Sequence, residues 1–158
     1  METLTATARA DVLAILAGQP DLTLATIRPD GYPQATTVSF AHDGLTIYIG
    51  VGLDSQKMRN IRHSDKVSLA ITPPYTDWQH IRGLSLAGRA AVVVDDAELR
   101  HAAALMTGRF PQLRQMMSEP GPQPWAGNMA LLRIEPEVIS VLDYTRGFGH
   151  TDIYRVTP

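Results

Sequence analysis

Alternating runs punctuated by Asp-Gly pairs dominate residues 22–71. Residues 22–28 read Leu-Thr-Leu-Ala-Thr-Ile-Arg, and Pro29-Asp30-Gly31 follows. Residues 33–40 alternate again, and His42-Asp43-Gly44 precedes Leu-Thr-Ile-Tyr-Ile at 45–49. Period-two alternation sends successive side chains to opposite faces of a strand, and glycine accepts the positive φ of a tight hairpin turn. The spacing predicts three strands and two turns in an antiparallel meander. After Gly50-Val51-Gly52 the pattern changes to a short helix carrying Lys57, Arg59 and Arg62, with Ser55 as its N-cap, and residues 66–71 form a further strand.

On either side of this unit the periods switch between helix and strand. Residues 5–16 place Val12, Leu13, Ile15 and Leu16 on one side of a helix that Gly18 and Pro20 stop. Residues 81–94 read as a long strand whose Gly83 and Gly88 suit the bends that a barrel needs. Residues 95–117 turn helical, with Asp95 or Asp96 as cap, a stripe of Leu99, Ala102, Ala103 and Met106, and a break near 108–111 that divides them into two helices. Residues 118–127 hold three prolines and two glycines and form a surface loop anchored by Trp125. Two more strands, 128–134 and 138–144, are separated by Glu135-Pro136-Glu137, and residues 145–158 are a polar, glycine-bearing tail. Hairpin-linked strands with helices inserted once predict a mainly β (α+β) fold, an antiparallel barrel of six or seven strands with flanking helices in a single domain, 1–158.

Composition narrows the chemistry. With 44% apolar and 19% charged residues and a formal charge of −2, the chain suits neither disorder nor a broad nucleic-acid footprint. Its lack of cysteine removes disulfides, thiol catalysis and thiolate metal sites. No run approaches the roughly 20 apolar residues of a membrane span, and no basic-then-apolar leader opens the sequence, so a cytoplasmic location is expected. The five histidines (His42, His63, His80, His101 and His150) lack metal spacing, so no metal site is expected. Gly50-x-Gly52 lacks the third glycine and the parallel βαβ setting of a dinucleotide fingerprint. No Gly-x-Ser-x-Gly elbow supports hydrolase chemistry, and Ser55, His63 and Asp65 lie too close in sequence to be read as a triad.

The segment from Ser55 to Lys57 remains the best candidate for chemistry. At a helix start the first N–H groups lack intrahelical acceptors and the dipole end is positive, so a capping hydroxyl and a nearby ammonium can hold a phosphate. The same residues also suit an ordinary capped surface helix with solvated basic side chains. Trp78 and Trp125 read either as core or interface aromatics or as a wall beside a planar ligand.

Taken in order, Leu24-Ala-Thr-Ile-Arg-Pro-Asp-Gly-Tyr-Pro33, Val38-Ser-Phe40, Thr46-Ile-Tyr48, Ser55-Gln-Lys57-Met-Arg59-Asn60-Ile, Lys66-Val-Ser-Leu-Ala and Leu86-Ala-Gly88-Arg-Ala resemble the pyridoxamine 5′-phosphate oxidase-like, FMN-binding split-barrel flavoproteins. The resemblance covers about residues 22–144 and implies a six-stranded antiparallel split β-barrel that forms a homodimer with flavin at the subunit interface. It puts the FMN phosphate on Ser55 and Lys57, further phosphate and ring contacts on Thr36, Thr37 and Val38, and the isoalloxazine beside Gly50 and Val51. Trp78 and Tyr144 are the aromatic candidates for the same site, and Trp125 with residues 142–144 is expected near the dimer interface. The oxidase itself carries an arginine where Thr36 stands and a basic residue where Ala41 stands, and Arg146, His150 and Arg155 do not reproduce its C-terminal substrate pattern. Vitamin B6 oxidation is therefore not expected.

The leading expectation is a flavin-dependent oxidoreductase that holds FMN, or a related deazaflavin, and acts on a small substrate. The cofactor would carry the chemistry, and no catalytic side chain is assigned. A non-catalytic flavin-binding or stress protein is the second expectation. A haem-binding split barrel, with one histidine as axial ligand, is the third.

Overall fold

The computed structural model describes residues 1–120 and 127–157. Its elements in chain order are β1 (Glu2–Thr3), α1 (Ala6–Gly18), β2 (Asp21–Ile27), β3 (Pro33–Ser39), β4 (Ala41–Asp43), β5 (Thr46–Gly52), α2 (Gln56–His63), β6 (Lys66–Ile71), β7 (Arg82–Val92), α3 (Asp96–Arg109), α4 (Pro111–Ser118), β8 (Met129–Asp143) and β9 (Thr151–Arg155). Short 3-10 turns lie at Trp78–His80 and Tyr144–Arg146. The expected loop anchor Trp125 falls outside the described residues.

The sheet runs β1-β9-β8-β7-β6-β2-β3, and β5 pairs with both β4 and β8. Six strands, β3-β2-β6-β7-β8-β5, enclose the core, and the fold is the expected mixed α+β split barrel. The split is made by β8. One edge of β8 pairs with β7 from Leu132 to Asp143; the other takes β5 along residues 129–134 and then β9 along 138–142. Leu24, Ile47, Ile49, Leu69, Leu86, Leu132, Ile134 and Ile139 meet inside, and α1 closes the core with Val12, Ile15 and Leu16. Fully burying each such side chain is worth about 1.5–3 kcal/mol. Gly31 and Gly44 occupy the two hairpin turns with φ of 87° and 56°, the region where a Cβ is costly.

Four local expectations need correction. The second hairpin is β4–β5, not a pairing of residues 33–40 with 45–49. Phe40 is buried in the barrel interior and Ala41 on the other side, against Met106 and Phe110, and between β3 and β4 the chain exchanges β2 for β5 as its partner. Residues 128–144 form one long strand instead of two. Its partner register runs Ala87↔Val138 and then Gly88↔Pro136, so Glu137 is the extra residue of a bulge, a place where a proline without N–H is tolerated. The polar tail contains β9, whose pairing with β8 and β1 rests on backbone bonds more than on apolar content. Finally, the α3 stripe is Leu99, Ala102 and Met106 joined by Leu105, while Ala103 faces solvent. The two consecutive helices themselves are present, α3 capped by Asp95 and α4 opened by Pro111.

Candidate functional site

The end of β5 delivers the chain to the start of α2 through a tight connection. Ser55 N–H donates to Gly52 O at 3.1 Å, and Ser55 Oγ accepts the Met58 N–H at 3.2 Å, so Ser55 is the N-cap. The backbone N–H groups of Gln56 and Lys57, which have no acceptor within a helix, sit at this positive end. Lys57 Nζ reaches across to β3 and donates to Thr36 Oγ1 at 3.3 Å. Lys57 is half-buried, and among the described residues it meets no carboxylate. A partly desolvated ammonium with only a hydroxyl for company favours an anion.

Beneath this corner lies a polar network that the sequence reading did not single out. Asn60, fully buried, donates from Nδ2 to Thr26 Oγ1 at 2.9 Å and to Gln34 Oε1 at 3.1 Å, and its Oδ1 accepts Gln56 Nε2 at 2.7 Å. Arg59 folds back along its own helix, donating to Gln56 Oε1 at 2.9 Å and to Asp54 O at 2.8 Å. The available signal was an asparagine between Met58 and Ile61, both of which are buried on the same helix.

The other nominated residues divide into three groups. Val38 shares the inward face of β3 with Thr36, whereas Thr37 lies on the exposed outer face. Gly50 is half-buried opposite Leu131 and presents bare backbone, while Val51 points into the core, so its contribution to any ligand is its backbone. Trp78 and Tyr144 come together elsewhere, bridged by Phe148, with ring centroids 6.2 Å (Trp78–Phe148) and 5.0 Å (Tyr144–Phe148) apart. Gly52 pairs with Met129 at the first residue of β8, and Tyr144 follows its last, so 15 residue steps along the chain, roughly 50 Å of strand path, separate Met129 from Tyr144. One chain does not bring the aromatic group to Lys57.

Two of the C-terminal basic residues, Arg146 and His150, are occupied. Arg146 and His150 both engage Asp152, the latter at 3.1 Å, and the His150 bond, with Arg146 beside it, holds the Asp152 carboxyl below the usual carboxylate range. Ala41 is 2% exposed among Met106 and Phe110, an apolar site that would not accept a basic side chain without rebuilding. Among the described residues no group of histidine, aspartate and glutamate forms a metal site, and no helix is long and apolar enough to cross a membrane.

The family profile described as pyridoxamine 5′-phosphate oxidase matches residues 8–143. The chain belongs to this family. No curated protein matches it. Among solved structures it is similar to a heme binding protein from Mycobacterium smegmatis, with a TM-score of 0.78 and 21% identity over 97% of this chain. That likeness spans 60% of the mycobacterial protein's length. It is also similar to HutZ, the heme storage protein of Vibrio cholerae, with a TM-score of 0.66 and 20% identity over 81% of this chain and 89% of that one. A Listeria innocua protein provisionally named a pyridoxamine 5′-phosphate oxidase gives a TM-score of 0.65 and 24% identity over 85% of this chain and 98% of that one. At such identities these likenesses establish the split-barrel fold alone.

Proposed function

We propose that this family member binds FMN, with the flavin phosphate at the corner of Ser55, Lys57 and Thr36, and serves as a flavin-dependent oxidoreductase for a small substrate. The observation that carries the reading is Lys57, a half-buried ammonium beside a capped helix start whose polar partner is the Thr36 hydroxyl. Ser55 would cap and orient the helix, the Gln56 and Lys57 amides would face the phosphate, and the bare backbone at Gly50 would lie along the ring. The flavin would supply the hydride or electron chemistry, and the chain's residues would bind, orient and exclude water.

A second copy would complete the site. The outer face of the sheet carries a row of small side chains, Thr37, Thr23, Ala70, Ser85 and Ser140, in direct cross-strand register, and a parallel row of Ala35, Ala25, Ser68 and Ala87. Nearly all are exposed. Such side chains let two sheets approach closely, and a homodimer over this face would bring residues of one copy, Trp78 and Tyr144 included, toward the anion corner of the other.

The test is a pair of titrations. Lys57→Ala should weaken FMN by on the order of 1.5–3 kcal/mol and leave riboflavin almost unchanged, since a charge-assisted contact to phosphate is lost. Equal loss for both ligands would remove the phosphate role. The haem reading has one specific observation in its favour besides the fold likeness to two haem proteins. His80 Nδ1 is held by Asp77 at 2.7 Å, and among the described residues its Nε2 has no hydrogen-bond partner, the arrangement in which a second partner orients an axial imidazole. The absorption spectrum of the protein as purified decides between flavin bands and a Soret band.

A further inference from the structure

Helix α2 and strand β3 are joined by two rungs. Lys57 and Asn60 are three residues apart and share one face of α2, while Gln34 and Thr36 are two apart and share one face of β3. Asn60 donates to Gln34 at 3.1 Å, and Lys57 donates to Thr36 at 3.3 Å. The rungs differ in rigidity. Asn60 is fully buried and tied at the same time to β2 through Thr26 and to the first turn of its own helix through Gln56. Lys57 makes one contact at the end of a flexible four-carbon stem, which cannot set the position of its helix. The buried rung therefore decides where the open one stands.

The same amide reaches a second cation. Gln56 donates to Asn60 Oδ1 from Nε2 and accepts Arg59 Nη2 on Oε1, so the buried asparagine orients the group that turns Arg59 back toward Asp54. Two cations at one helix end, Lys57 and Arg59, thus depend on one buried side chain.

We propose that Asn60 is the positioning residue of the anion corner: it fixes the register of α2 on β3, and through that register the preference for a ligand ending in phosphate over the same ligand without it. This rests on the reading of Ser55, Lys57 and Thr36 as the phosphate corner. A buried asparagine that only stabilised the fold would, when removed, weaken phosphate-bearing and phosphate-free flavins alike. A positioning residue weakens the first alone.

The experiment uses two variants of the full chain. Asn60→Leu removes the rung from the helix side, and Gln34→Met removes its acceptor from the half-buried strand side without emptying the interior. FMN affinity should fall about tenfold or more in each, the scale of one misplaced charge-assisted contact. Riboflavin affinity should stay within about twofold. In a Lys57→Ala background, Gln34→Met should then change FMN affinity by less than about twofold, because the two residues act through one contact. Parallel losses for FMN and riboflavin, or an undiminished loss in the Lys57→Ala background, would overturn the proposal. Should Asn60→Leu fail to fold, Gln34→Met alone decides. If the wild-type chain binds no FMN, the function proposed above falls, and inorganic phosphate followed by the Gln56 and Lys57 amide resonances becomes the readout. Shifts present in wild type and lost in Gln34→Met support the positioning role; their absence in wild type, or their persistence in the variant, ends it.

Discussion

Gly88→Ala should destabilise this protein severely although it adds a single methyl group. Gly88 lies where β7 meets the bulge of β8. A Cβ built there falls 2.3 Å from Glu135 O, 2.9 Å from Glu135 C and 3.0 Å from Pro136 Cα. All three atoms are backbone, so no side chain can swing away, and about 1 Å of retreat by the β8 main chain is needed to reach ordinary contact. That retreat would disturb the pairings Ala87↔Val138 and Arg89↔Glu135 on either side, together with the ion pairs Arg89 makes to Asp65 and Glu137. Overpacking of this sort costs about 1–3 kcal/mol or more, and replacing a strand glycine by alanine returns only about 0.5–1 kcal/mol in chain entropy. The net loss of about 2 kcal/mol corresponds to a fall in melting temperature of roughly 4–8 °C for a domain of this size. Gly18→Ala is the matched control. Its Cβ meets nothing within 4 Å at the end of α1, so that variant should melt at or slightly above wild type. Thermal unfolding followed by circular dichroism makes the comparison. Gly88→Ala melting with Gly18→Ala would show that β7 and β8 do not approach as described, and the bulge account of the long strand would go with it.

Arg109 stacks its guanidinium 4.5 Å over the Phe40 ring and donates to the carbonyls of Leu16, at 2.8 Å, and Gln19, closing the end of α1 from the end of α3. Arg109→Ala should cost about 2 kcal/mol, seen as a fall of several degrees in melting temperature, and a loss below about 0.5 kcal/mol would mean the contact is idle in solution. Sedimentation should find a dimer that Ala70→Glu, at the centre of the small-residue sheet face, converts to monomer; a flavin-loaded wild-type monomer at micromolar concentration would contradict the shared site. Turnover of pyridoxamine 5′-phosphate should be negligible, because Thr36 and the buried Ala41 stand at the oxidase's basic positions and Arg146 is committed to Asp152. Oxygen-dependent pyridoxal phosphate formation at about 1 per second or faster would refute this.

How far the sequence could be read follows from the range of the interactions involved. The turns at Gly31 and Gly44, the cap Ser55 and the stop before Pro111 are decided by a handful of neighbouring residues and each was legible, and the cap of α3 was narrowed to Asp95 or Asp96, of which the structure takes Asp95. The join of 128–134 to 138–144 was not. Local chemistry at Glu135-Pro136-Glu137 argues for a break, and only the approach of Gly88 from another strand, 47 residues earlier than Glu135, makes room for continuity. Strand β9 was hidden for a similar reason: the half-polar run 151–155 earns its structure from the free edge that β5 leaves on β8, a fact about the sheet and not about the run itself.

The candidate site divides along the same line. Ser55 as a cap and Lys57 two residues later could be marked from their own segment, but their chemical meaning depends on Thr36, 21 residues away, and on whether any carboxylate reaches Lys57 first. A sequence rich in arginine partners offers no way to tell which cation will be left over. Here Arg28, Arg82, Arg89, Arg133 and Arg146 each meet an acid, so the acidic residues near them are spent locally. Among the described residues Lys57 meets a hydroxyl and no carboxylate, since the side chains that tie α2 to β3 beside it are neutral amides, and neutral amides are what a motif search passes over. On the proposed reading, whether this corner binds an anion depends on Asn60, Gln34 and Gln56 as much as on Lys57, for they would hold the ammonium in place without neutralising it.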